Sequence, residues 1–218
     1  MVDTREEQRQ FQQRLRISPA LVHEIVRSEG EHELQRGFPA LWWSGVAAGL
    51  SMGLSPLAAG ILAALLPAQP WADIVVAGGY SAGFVIAVLG RQQLFTENTI
   101  TALLPVINHR TLDYLLKMLR LWGIVLVANL VGALVVATLF AATPLLPEHY
   151  ATAMEQLSRS YLERSPLATG LSAIVAGWLI AALVWTMPSV PNSRFALVMF
   201  FTWLVGIDYL ARGTFDLL

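Results

Sequence analysis

The chain has 218 residues, 56% of them hydrophobic and 13% charged, where an ordinary soluble domain carries about 25% charged residues. A chain with so little polar surface cannot cover itself in water, which excludes a soluble globular protein. The net charge of −1 comes with no groove-sized basic patch and so no nucleic-acid footprint, and the lack of cysteine rules out disulfides, thiolate metal sites and cysteine catalysis.

Residues 1–39 form a polar tail holding six Arg and seven Asp or Glu. A signal peptide needs a short apolar core, so the tail is not one and the first apolar helix must direct insertion itself. Within the tail, Ser18-Pro19 reads as an N-cap followed by proline at the first helical position. Leu21, Val22, Ile25 and Val26 then make one apolar stripe opposed by His23, Glu24 and Arg27. This predicts an amphipathic helix, lying either on the membrane surface or against a partner.

Residues 40–218 read as one transmembrane domain. A hydrocarbon core of about 30 Å needs roughly 20 helical residues, and five apolar blocks meet or approach that length, near 40–66, 72–94, 118–142, 166–188 and 194–216. The first carries Gly45, Gly49 and Gly53 at intervals of four, and the second carries Gly79 and Gly83. Small residues so spaced let helix backbones approach closely in lipid. Asn129 in the third block reads as either an interhelical hydrogen-bonding residue or a pore-lining one. Trp42, Trp43, Trp71 and Trp185 lie near span ends and read as interfacial anchors.

The second block is interrupted. A run of 16 residues from Ile74 to Leu89, slightly short for a span, gives way to Gly90-Arg91-Gln92-Gln93-Leu94-Phe95-Thr96-Glu97-Asn98. Irregular backbone at membrane depth is tolerated only where protein buries it or it lines a wet cavity, so Arg91 and Glu97 become functional candidates. The alternative is a helix that ends at the interface with Arg91 snorkelling. The fifth block is interrupted likewise: 13 apolar residues, Phe195 to Ile207, precede Asp208, Arg212 and Asp216. Paired interruptions in corresponding helices of two inverted halves point to a central permeation site.

Lys and Arg concentrate in the tail, in the second-to-third joint (Arg110, Lys117, Arg120) and at Arg194, while the opposite side offers only Arg159 and Arg164. Positive flanks stay in the cytoplasm, so the N-terminus is expected there. Arg159 and Arg164 would be external, drawing anions to a vestibule or merely solvated.

The run from Gly83 to Thr99, with Leu94-Phe95-Thr96-Glu97-Asn98 at its heart, closely resembles the formate/nitrite transporter family, whose second helix breaks at a Leu-Phe-Thr element. Ser44-Gly45 with Gly49, Asn129 with Gly132, and Gly177-Trp178-Leu179 with Val184-Trp185 extend the resemblance over roughly residues 28 to 207. The Gln-Gln before Leu94 looks like a poorly characterised branch. The resemblance implies an all-α, aquaporin-like bundle of six helices with broken second and fifth helices, embedded in the inner membrane as a homopentamer. It further implies a pore in each protomer for formate, nitrite, hydrosulfide, lactate or acetate. Leu94 and Phe95 would form an apolar constriction, with Thr96 at the central polar site and Glu97 and Asn98 beside it. Arg91, Asn129 and Asp208 would be polar residues of the pore or of its packing. A neutral protonated acid is desolvated far more cheaply than its anion, so such a constriction favours weak monovalent acids.

Two departures stand out. A gap-free comparison puts Tyr209 where the family carries a proton-exchanging histidine, and Gly177 where it carries a fourth-helix asparagine. The usual proton relay is therefore not expected. The chain also stops at Leu218, before the sixth helix, which reads as a truncated sequence.

The reading favoured is a channel or transporter for small monovalent anions. The alternative is a membrane scaffold or regulator that keeps the fold without transporting. A hydrolase would need a base beside a nucleophile, yet His23, His32, His109 and His149 all lie outside the predicted spans. No cofactor is implied, and neither His109 nor His149 has further ligands at metal-coordinating intervals.

Overall fold

The computed structural model describes residues 17–211, with residues 160–161 and 208–211 described by their backbone alone. Among these residues every regular element is helical.

Helix α1 (Pro19–Leu34) begins as the sequence dictates. Ser18 caps it by accepting the Leu21 amide at 3.3 Å, and Pro19 occupies the first turn, where no N–H is needed. Its buried face is Val22, Val26, Gly30 and Leu34, a strict four-residue stripe. Leu21, expected on the apolar stripe, is 49% exposed. The helix is rotated because Gly30, which hydropathy ignores, makes its closest contact. α1 packs against the helices that follow in the chain.

The first apolar block forms two consecutive helices, α2 (Phe38–Met52) and α3 (Leu54–Leu65), joined at Gly53. Pro56 cannot donate to the Met52 carbonyl, and the helix breaks a turn earlier, at Gly53. Helix α4 (Pro70–Leu89) follows, then an irregular segment, then α5 (Phe95–His109). The interruption thus occupies residues 90–94. Residues 95–98, expected to be irregular, form the first turn of α5.

Helix α6 (Leu112–Ala142) is the longest. It crosses α2 where glycines face each other: a Cβ on Gly49 would lie 2.9 Å from the Gly132 Cα, and one on Gly45 2.7 Å from the Ala128 Cβ. Gly79 and Gly83 of α4 meet α3 and the end of α2 as closely. These glycines pack helices, as their spacing predicts.

Helix α7 (Glu148–Leu162) occupies part of the stretch read as a polar joint, and its Met154 presses on Gly60 of α3. Helix α8 (Pro166–Thr186) is capped by Ser165 and ends in two short 3-10 turns, after which comes α9 (Arg194–Ala211). Gly206 does not interrupt α9. It lets the helix lie against α4, where a Cβ would fall 2.6 Å from the Ala77 carbonyl oxygen. The backbone stays helical through Asp208 and Tyr209 to Ala211; Arg212 and Asp216 lie outside the described residues.

Among the described residues, four segments are long and apolar enough to cross a membrane: Phe38–Leu65, Pro70–Leu89, Leu112–Ala142 and Pro166–Ser189. The fifth block is α9. Leu130, Leu134, Leu167, Ile174 and Trp178 are each more than 60% exposed on α6 and α8. Water would not tolerate so much exposed apolar area, whereas lipid or a neighbouring helix covers it.

Candidate functional site

The interruption is built from a helix end, a bridge and a helix start. At the end of α4 the Arg91 amide bonds to the Val88 carbonyl at 3.1 Å and the Gln92 amide reaches back to Ala87 at 2.8 Å. These are the two bonds of a Schellman cap, which calls for a left-handed residue, usually glycine. Arg91 fills that place with φ 50°. Its side chain is exposed.

Side chains from neighbouring helices satisfy the bridge. The Gln93 amide donates to Ser44 Oγ of α2 at 3.1 Å. Asn129 of α6 donates from Nδ2 to the Gln93 carbonyl and to the Gly45 carbonyl, both at 2.8 Å, and accepts the Phe95 amide at 2.9 Å. One amide side chain so matches backbone groups that would otherwise be left without partners inside the bundle. Of the two readings for Asn129, the interhelical hydrogen-bonding one is what the geometry shows.

The side chains form a second layer. Gln93 donates from Nε2 to Glu33 of α1 at 2.8 Å, and Asn98 donates to Gln93 Oε1 at 2.8 Å. Trp122 of α6 donates its indole N–H to the Asn98 carbonyl at 3.2 Å and packs edge-on against Phe95, centroids 6.1 Å apart. Leu94 is 5% exposed, in a cluster with Ala48, Phe84, Leu183 and Val198 from α2, α4, α8 and α9. Phe95 and Glu97 are partly exposed and Thr96 is exposed. Leu94, at the N-cap position of α5, makes no side-chain cap of its own, and Asn129 takes up the Phe95 amide instead.

The structure therefore gathers Arg91, Leu94, Phe95, Asn98 and Asn129 at the interruption, with Thr96 and Glu97 on the helical turn that follows. Gly177 stays apart. It is exposed on α8, and a Cβ there would meet nothing within 4 Å. The side chains of Asp208 and Tyr209 lie outside what the structure describes. Glu33, Ser44, Gln93 and Trp122 were missed as site residues. Ser44 and Gln93 stood inside the motifs that carry the resemblance, but nothing in the sequence marks Glu33, which lies 60 positions from its partner.

A family profile described as "Formate/nitrite transporter" matches residues 20–209. Inner membrane protein YfdC of Escherichia coli (strain K12) is 39% identical over 186 residues, which is 85% of this chain and 60% of that relative. The chain thus spans less than two thirds of the length of the curated relative it matches. Profile, relative and the interruption ahead of Leu-Phe-Thr agree: this chain belongs to the formate/nitrite transporter family.

Proposed function

We propose that the chain forms a channel-like passage for small monovalent anions or their protonated acids, such as formate, nitrite and short monocarboxylates, in the inner membrane. The observation that carries this is the backbone interruption at residues 90–94, held inside the bundle by Ser44 and Asn129. Such a break is tolerated at membrane depth when protein secures it, and the helix that follows supplies a chemical use. The N-terminus of α5, where Leu94 supplies no side-chain cap, carries positive partial charge suited to a small anion. Thr96 adds an exposed hydroxyl there. Leu94, buried where α2, α4, α8 and α9 converge, is suited to be the apolar barrier, with Phe95 beside it. Tyr209 and Asp208 complete the proposed pore lining.

The proposal includes a homopentamer, which would cover the apolar faces of α6 and α8, and a cytoplasmic N-terminus, which the distribution of Lys and Arg supports. It assigns no catalytic residue.

The test is flux. Proteoliposomes should take up formate, nitrite, acetate or lactate faster than empty vesicles, and Thr96→Val and Tyr209→Phe should each change that rate. Equal leak with and without protein overturns transport and leaves a membrane scaffold.

A further inference from the structure

Gln93 and Asn98 are each 5% exposed, and their side chains form a directed chain that ends on α1. Glu33 Oε2 accepts from Gln93 Nε2 at 2.8 Å and from Arg36 Nη1 at 3.0 Å. A carboxylate can accept but not donate. It therefore turns the NH2 of Gln93 towards α1 and the Gln93 oxygen towards Asn98. That oxygen accepts in turn, so the NH2 of Asn98 must face it. One charge on α1 thus sets the orientation of two buried amides, which no local rule would fix.

Gln93 immediately precedes Leu94. Its N–H is held by α2 through Ser44 and its C=O by α6 through Asn129. The Glu33 contact supplies a third anchor from a third element. We infer that Glu33 is a positioning residue for the interruption: by locking the Gln93 side chain it sets the placement of Leu94 and Phe95, and so the discrimination among small monovalent acids. The consequence for discrimination rests on the transport reading; the positioning itself does not.

The chain contains no cysteine, so Thr96→Cys gives a single thiol beside the interruption whose labelling by a methanethiosulfonate reagent reports geometry without any transport. In that background, and separately in the otherwise unaltered protein for flux, the variants are Glu33→Gln, Glu33→Asp, Gln93→Glu and the exchange Glu33→Gln with Gln93→Glu.

A hydrogen bond to a charged acceptor is worth roughly a tenfold change in an equilibrium. Glu33→Gln, which permits both amides to flip, should change the labelling rate by about that factor and shift the formate-to-lactate flux ratio in step. Gln93→Glu, which sets two carboxylates together, should do more harm. The exchange should recover most of both readouts, because the amide introduced at position 33 donates to the carboxylate introduced at position 93, which still accepts from Asn98. Recovery of protein amount alone, with labelling and flux ratio still shifted, would mark the contact as merely structural and overturn the inference. Unchanged labelling and unchanged flux ratio in Glu33→Gln and Glu33→Asp would overturn it as well. If wild-type vesicles leak no faster than empty ones, the transport reading fails, and the labelling rates still decide whether Glu33 positions the segment.

Discussion

Asn129 shows how much one polar side chain can hold together in an apolar bundle. Asn129→Ala strands the Gln93 carbonyl and the Phe95 amide, at about 1–3 kcal/mol for each buried group left unpaired. We expect a lower thermal midpoint in detergent and a marked loss of hydrogen-exchange protection at residues 93–98. Asn129→Asp keeps the acceptor for Phe95 and should fall between the two. The arginines at positive φ give the opposite expectation. Arg110 closes α5 at φ 52° as Arg91 closes α4, and the left-handed conformation disfavours any residue with a Cβ by roughly 1–2 kcal/mol. Arg110→Gly, set against loss of its 3.2 Å side-chain bond to the Ile107 carbonyl, should leave stability level or raise it, as read by thermal unfolding. Neither arginine could be recognised as left-handed from sequence, where helix ends are marked by glycine and not by Arg.

Between elements, α1 and α5 approach closely at Gly30. Pro105 has no N–H to offer the Thr101 carbonyl, and Gly30 of α1 settles into the notch, where a Cβ would lie 1.9 Å from that oxygen. Gly30→Ala must push the helices apart and should cost on the order of 1–3 kcal/mol as overpacking does; faster proteolysis after α1, with the bundle intact, would report it. The outer face of α1 responds to pH. Arg27 bonds Glu24 and Glu31, and its hydrogen bond holds the Glu24 carboxyl below the usual carboxylate range. A depressed carboxylate contributes stability above its unfolded pKa and loses it as pH falls through the folded one. The protection of α1 amides against exchange, taken relative to the intrinsic rate at each pH, should therefore fall on acidification, and less steeply in Glu24→Gln, the effect being small because the pair is exposed.

At the scale of the molecule, the exposed faces of α6 and α8 decide the solvent. Leu134 is 67% exposed in the apolar stretch of α6 that follows Arg120, and an arginine within the bilayer costs up to about 2.5–3.5 kcal/mol on insertion scales. Leu134→Arg should lower the fraction of protein resisting alkaline extraction from membranes, whereas Leu162→Arg, at the end of α7, should not. If both behave alike, the placement of this part of α6 within the bilayer is wrong.

Composition and periodicity alone determined the membrane class, the approximate blocks, the glycine faces and the location of the break near Leu94, because these depend on local chemistry: apolar length against bilayer thickness, and glycine spacing against the helical repeat. The sequence could not say that the break ends before Phe95, that Gly53 divides the first block, or that α9 runs through Gly206 unbroken. Those outcomes turn on which distant groups can satisfy or crowd a backbone. Asn129 and Ser44 satisfy residues 93 and 95 from across the bundle, and Ala77 receives Gly206. Only the tertiary structure brought Glu33 to Gln93, since a hydrogen bond between residues 60 apart leaves no periodic trace in the chain.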